Sequence, residues 1–155
     1  MATWRNRGLT LQLEGFDELV KALQKADKSI DFEVEKCFSQ CCKVITDTLK
    51  EKAQQAELDA DLINKITRDK RHNGNRFYFE VGWKKVAPTK SNPIPDVYKV
   101  MFYNYGTPQR TTKAGANRGE EKKHGFIKKA KLASKNKVKK LQKDFLKDAL
   151  KDLQS

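Results

Sequence analysis

The sequence predicts an α+β fold in which a long N-terminal amphipathic helix packs on a small antiparallel β-sheet and a long basic helix ends the chain. Three patterns in the 155 residues predict this class. Apolar residues recur at intervals of three and four over residues 30–49, as on one helix face. Side chains alternate over residues 77–83 behind an Asn-Gly pair, as in a β-hairpin. A second helical period covers residues 126–153.

The first third of the chain predicts a short strand followed by helix. Residues 10–13 alternate and predict a strand that ends near Gly15. Asp17 has the position of an N-cap, and an apolar helix face follows it over residues 19–26. The stronger period then continues to about Ala56. The sequence leaves open whether this is one helix that kinks near Ser29 or two successive helices.

A hairpin is predicted over about residues 62–84. Residues 57–61 are acidic and predict a connection, and an alternating stretch begins at Leu62. Asn73-Gly74 then provides a strong hairpin signal. We expect the apolar face of the hairpin to lie across the long helix, because a lone hairpin is marginal in water. Residues 86–95 contain three prolines and predict an irregular loop.

A short helix is predicted between Pro95 and Gly106. Asp96 has the position of its N-cap, and Pro95 is incompatible with a helix interior. Gly106 predicts the helix stop, because glycine enters left-handed backbone conformations without steric cost. Apolar side chains fall at helical spacing between these ends, at Val97, Val100, Met101 and Tyr105.

The remainder predicts a loop and a final helix. Residues 108–123 are highly charged without an apolar period, and we expect them to be mobile in isolation. The apolar stripe that begins at Phe126 is narrow, which suits either packing on the same domain or lying along another subunit. We therefore expect one domain with an α+β body over residues 1–107, a mobile basic loop over 108–124 and a basic helix over 125–155.

The net charge of +13 is concentrated in the last third of the chain. Residues 108–155 hold 15 Lys or Arg and 5 Asp or Glu, whereas residues 1–107 hold 18 and 15. Such a charge attracts anions, including phosphate backbones. Clustered lysines are also the ordinary composition of a solvated helix face. Both interpretations stay open at this point.

No pattern in the sequence predicts catalysis, a metal site or a cofactor. P-loop, GxGxxG, GxSxG and HExxH motifs are absent. Cys37 and Cys41 lie one helical turn apart beside Cys42, but without a CxxC pair or a nearby histidine we expect them in the core and not at a zinc site. The carboxylates near His124 lie among lysines, where a tuned acid–base pair is not expected.

Aromatic side chains also lie near basic residues, over residues 77–83 and 98–105. We expect them to form core or protein interface and not to stack single-stranded bases. The sequence has no run of about 18 apolar residues, so no membrane span is expected. It also lacks the apolar stretch of a secretory signal, and synthesis in a reducing cytoplasm is expected.

The last third resembles the tail-completion, or head–tail connector, proteins of tailed bacteriophages and phage-tail-like particles. That family shows an aromatic-rich segment closing on Gly-Thr, a variable loop, and a Pro-Phe motif that begins a C-terminal helix. Asn104 stands where the family has an acidic residue, and Gly125 where it has proline. Residues 13–19 also resemble the opening of the family. The matching residues are Tyr98, Phe102, Tyr105, Gly106 and Thr107 in the first part, and Gly125, Phe126 and Ala130 in the second.

The resemblance implies a structural virion protein with no enzyme activity and no cofactor, made in the host cytoplasm and located at the neck or tail end. It implies a ring of copies with sixfold symmetry, where the tail tube meets the connector or terminator proteins. No membrane partner is implied. The loop and the final helix would form an appendage that becomes ordered on docking to neighbouring copies. Its expected hinge consists of Phe102, Tyr105, Gly106, Thr107 and Phe126.

Basic residues of this appendage could contact a polyanion or an acidic partner. DNA in the ring lumen is one such polyanion. The alternative function is that of a non-specific nucleic-acid-binding protein that uses the Lys-rich C-terminal helix. Its affinity would then fall steeply with salt. The candidate contact residues are Arg110, Lys113, Arg118, Lys122, Lys123, Lys128 and Lys129.

Overall fold

The structure is a computed structural model that describes residues 3–7, 10–14, 30–73 and 76–152. Within these ranges the chain is α+β, which confirms the predicted fold class. The predicted helix over residues 19–26 and the kink near Ser29 lie outside the described residues. The elements are β1 (Thr3–Arg7), β2 (Thr10–Glu14), α1 (Ile30–Gln55), α2 (Ala60–Asn64), β3 (Thr67–Asn73), β4 (Arg76–Gly82), α3 (Asp96–Tyr105) and α4 (Phe126–Asp152).

The four strands form one antiparallel sheet in the order β1-β2-β4-β3. Asn73 pairs with Arg76, so β3 and β4 are the predicted hairpin. Leu11 of β2 pairs with Val81 of β4, which brings the N-terminal strand next to that hairpin. Strand β2 was predicted, whereas β1 was not, because its sequence TWRNR carries no apolar alternation.

The predicted start of the hairpin at Leu62 is wrong. Residues Ala60–Asn64 form the short helix α2, and β3 begins only at Thr67. The Asp59 carboxylate caps α2 by accepting the backbone N–H of Asp61 at 2.8 Å. Ile63 is buried in the core. A single helical turn with apolar residues at neighbouring positions is hard to distinguish from strand alternation in so short a segment.

The core lies between α1, α4 and the sheet. The predicted apolar face of α1 is buried, and it packs against α4 and against β4, where Val81 is fully buried. Over residues 126–145 the apolar stripe of α4 therefore packs on its own domain, except at the exposed Ala133. Of the two alternatives left open by the sequence, this packing favours the first. Burial of each large side chain contributes about 1.5–3 kcal/mol. The buried core residues of α1 are Val34, Cys37, Phe38, Cys41, Ile45, Leu49 and Ala53, and those of α4 are Phe126, Ile127, Ala130 and Val138.

Helix α3 occupies the predicted segment, with one correction at its start. Pro95 has the N-cap position and Asp96 is the first helical residue. The Asp96 carboxylate instead accepts hydrogen bonds from Lys65 and Lys99, which lower its pKa. The helix ends at Gly106 as predicted, and the Gly106 N–H donates to the Phe102 carbonyl at 2.7 Å. Gly106 has φ 75° and ψ 173°, a region that is essentially restricted to glycine.

Candidate functional site

Residues 107–121, here called the arm, form a two-stranded projection between α3 and α4. At its base, the Thr107 N–H donates to the Glu121 carbonyl and the Glu121 N–H donates to Thr107 Oγ1, both at 2.9 Å. Further out, Arg110 and Arg118 exchange backbone hydrogen bonds with the opposite side of the arm. A bridge between Thr111 and Asn117 precedes the tip. The segment predicted to be a loop is thus paired along its length, and its mobility stays a prediction.

The arm beyond its base is almost entirely exposed. Over residues 108–120 only Thr112 is half-buried, and all the others are exposed. The hydrogen bonds described for these residues stay within the arm. An isolated two-stranded hairpin is marginal in water, because it orders many residues while burying little apolar surface. The arm therefore gains little stability from the body that carries it.

Asn104 connects the end of α3 to the start of α4. Its side chain is buried, and its Oδ1 atom accepts the backbone N–H of Ile127 at 3.1 Å. Its backbone carbonyl accepts the N–H of Gly125 at 2.9 Å. The first N–H groups of a helix lack partners within the helix, and Gly125 has no side chain to supply one. Asn104 therefore acts as the cap of α4 from another helix.

Tyr103 links α3 to the end of α1 and to His124, which lies between the arm and α4. Its hydroxyl donates to the carbonyl of Ala56 at 2.6 Å, just beyond the end of α1. Its ring stacks on His124 with centroids 4.0 Å apart and planes 5° apart. Burial, followed by the charges of Glu57 and Glu121, raises the pKa of Tyr103, which keeps the hydroxyl protonated as a donor. The last turn of α3 is thus fixed to the end of α1, to His124 and, through Asn104, to α4.

Gly106 lies directly under the returning side of the arm. A Cβ atom at this position would lie 2.8 Å from the Glu121 carbonyl oxygen and 3.0 Å from the Lys123 nitrogen. Both atoms belong to the backbone and cannot rotate away. Gly106 is therefore required by its positive φ and by the close approach of the arm.

The residues expected to form a hinge lie in different environments. Gly106 and Thr107 lie at the base of the arm, where Thr107 pairs with Glu121. Phe102 is half-buried, and Tyr105 is 44% exposed. Phe126 is fully buried and makes an edge contact with Trp83, with centroids 5.9 Å apart. The structure therefore brings Gly106 and Thr107 to the arm, whereas Phe126 anchors α4 in the core.

The basic candidates are all exposed, and they divide into three groups. Arg110, Lys113 and Arg118 lie on the arm, and Lys122 and Lys123 lie at its base. The pair Lys128–Lys129 lies on the first turn of α4. Their contact with an anion stays a prediction.

Three residues that join the last turn of α3 to the start of α4 were not predicted from the sequence to have this role: Tyr103, Asn104 and His124. The Tyr-Asn pair ahead of Gly106 gave a partial signal, because asparagine favours helix caps. The sequence does not show that the helix it caps begins more than twenty residues later. The stack of His124 on Tyr103 depends on the same long-range contact.

The three cysteines lie in the core of α1, as expected. Cys37, Cys41 and Cys42 are all buried and unpaired by disulfides. A hydrogen bond between the first two thiols lowers the pKa of Cys37 and raises that of Cys41, and burial raises the pKa of Cys42 to about 12. Among the described residues, no group of three or more His, Cys, Asp or Glu side chains is arranged to hold a metal ion.

Within the described ranges, no helix has the length and apolar character needed to cross a lipid bilayer. Comparison with known proteins gives no match: no family model, no curated protein and no solved structure is significantly similar to the chain. Function is therefore inferred from three features: the arm, its joint with the body (where residues 104–107 meet residues 121–127), and the distribution of charge.

Proposed function

We propose that the chain is a structural component of a tailed phage or phage-tail-like particle, and that it completes the tail by forming a ring at the neck. The ring joins the tail tube to the connector or terminator proteins, and it has no catalytic role. The observation that carries this proposal is the exposed arm, which is paired along its length and anchored firmly at its base.

The arm supports an assembly role because its cost in conformational entropy is not offset by burial in the monomer. Ordering one residue costs about 1–2 kcal/mol, and the exposed residues 108–120 bury almost no apolar side chain. Docking on a neighbouring copy would supply the missing burial. In a closed ring each copy contacts the next through two different faces. The arm would supply one of these two faces.

The joint supports the resemblance to tail-completion proteins. The two motif halves are separated by the arm in sequence, yet they meet in space. The Asn104 carbonyl before Gly106 accepts the Gly125 N–H, and the Glu121 carbonyl faces Gly106. The two parts of the motif, Tyr105-Gly106-Thr107 and Gly125-Phe126, therefore belong to one structural unit.

The test is to replace residues 109–119 with Gly-Gly in the virus or cell that encodes the chain, and to examine purified particles by electron microscopy. The pairing of Thr107 with Glu121 and the contact at Gly106 are retained in this variant. We expect tails and filled heads that do not join. The unmodified chain, labelled with an antibody, is expected at the junction of head and tail.

The matched control keeps the arm at full length and replaces Arg110 and Arg118 with glutamine. If shape is what docks, this control still joins heads to tails. The purified shortened variant should unfold in urea at the midpoint of the unmodified chain, because residues 108–120 contribute little to the core. Joined particles from the shortened variant, or absence of the chain from tailed particles, would overturn the proposal.

A further inference from the structure

The outer face of α4 carries an unusual concentration of positive charge. Between Phe126 and Lys143 the helix has eight lysines and no Asp or Glu. The buried residues of this stretch lie on one face, and exposed lysines occupy the opposite face. Lys128, Lys135, Lys139 and Lys143 are separated by seven, four and four residues, so they follow one line along the helix. With a rise of about 1.5 Å per residue, this line is about 22 Å long.

These four lysines lack acidic partners in the described part of the chain. No ion pair within 4 Å involves them, and the first carboxylate on α4 is Asp144. Lys137 is different, because it lies at the edge of the face and acts on Glu51 of α1, whose pKa is lowered mainly by Lys52 and to a smaller extent by the charge of Lys137. Within the described residues, therefore, no carboxylate is paired with the lysines of the central line.

The composition of this face favours a phosphate backbone over a protein partner. Interfaces between proteins are depleted in lysine at their centre and enriched in aromatic residues and arginine. On this face the one large exposed apolar side chain described is Leu132, whereas the aromatic Phe145 of the same helix packs against the core. Stacking of single-stranded bases needs exposed aromatic platforms, which this face lacks. Lysine is a flexible point charge that contacts phosphate without reading bases.

We infer that the outer face of α4, centred on Lys128, Lys135, Lys139 and Lys143, binds the phosphates of double-stranded DNA without sequence preference. Duplex DNA carries about one negative charge per 1.7 Å, so the line of lysines faces many phosphates at once. Neutralising about four of them releases counterions and makes the affinity fall with salt. This inference concerns the isolated chain and does not depend on the proposed neck role.

The experiment measures binding of the full-length chain to fluorescein-labelled 25-base-pair duplexes of two unrelated sequences, by anisotropy, between 50 and 200 mM NaCl. For about four phosphate contacts, we expect the association constant to fall about 150-fold over this range, equally for both sequences. Replacing Lys135, Lys139 and Lys143 with glutamine should remove about three quarters of the salt dependence. Glutamine preserves helix propensity, and circular dichroism checks the fold.

The matched control replaces the exposed Lys43, Lys85 and Lys90 with glutamine, which changes the net charge equally away from α4. We expect this control to bind as the unmodified chain does. Poly-L-glutamate at equal charge concentration serves as a competitor for an acidic protein. Three results would overturn the inference: no duplex binding at 50 mM salt, equal loss in both triple variants, or displacement of the duplex by the polypeptide.

Discussion

Gly106 is the residue on which the geometry of the joint depends most directly. Its backbone has φ 75°, and the arm returns so close that a Cβ atom would lie 2.8 Å from a carbonyl oxygen. We expect Gly106→Ala to destabilise the fold by about 3 kcal/mol, because backbone strain and steric overlap add together. Urea unfolding followed by circular dichroism measures this change.

Gly115 provides the matched control for this substitution. It also has a positive φ, of 82°, but nothing lies within 4 Å of the Cβ position. Gly115→Ala should therefore cost only the backbone conformation, about 1 kcal/mol. Equal losses in the two variants would show that the close approach of the arm at Gly106 has no energetic weight.

Cys42 makes the stability depend on pH. Burial raises its pKa to about 12, partly opposed by Arg68, from an ordinary value of 9.0. The folded protein therefore keeps this proton when the unfolded chain has lost it, and the contribution to stability is lost as the pH rises above about 9. Between pH 9 and 10.5 the unmodified chain should lose about 2 kcal/mol more than Cys42→Ala. Urea midpoints at the two pH values test this, and parallel losses would contradict it.

Single residues were predicted unevenly from sequence. Gly106 was found because a glycine after a helical period has few other uses. Asn104 was noted only as a departure from a family pattern, because its role depends on the Ile127 N–H, which reaches it only after folding. The cysteines were placed correctly, since spacing alone put them on the apolar face of α1.

At the scale of elements, α4 is part of the core for much of its length. Val138 is 1% exposed on its inner face, whereas Leu132 is 61% exposed on its outer face. Val138→Ala should cost about 2 kcal/mol, because it removes buried methyl groups and leaves a cavity. Leu132→Ala should change stability by less than about 0.5 kcal/mol, since the site is exposed and leucine and alanine both favour helix. Urea unfolding compares them, and a similar loss in both would contradict this packing of α4.

Elements in which the side-chain pattern repeats over many residues were predicted well, and short elements were not. Helices α1, α3 and α4 and the β3–β4 hairpin lie where the periods placed them. Helix α2 was mistaken for a strand because it has only one turn, and β1 has no apolar alternation. The pairing within the arm comes from backbone hydrogen bonds and not from side chains. The side-chain pattern of a sequence does not indicate where such backbone hydrogen bonds form.

For the whole molecule, the uneven charge was visible in the sequence, but its arrangement was not. Composition alone placed most of the +13 in the last third. The structure separates this charge into an exposed arm and one face of a helix whose other face is core. These two regions underlie two separate proposals, docking through the arm and phosphate binding through α4. Each therefore has its own variant and its own measurement.

The cap that Asn104 provides to α4 also makes the start of this helix depend on the last turn of α3. A helix nucleus is costly, because its first turn fixes several residues for a single hydrogen bond. Here the acceptor for the Ile127 N–H comes from a residue 23 positions earlier, which lies in the last turn of α3. The cap of α4 is therefore complete only when the last turn of α3 is folded beside it. The end of one helix and the start of the other thus depend on each other across the whole length of the arm.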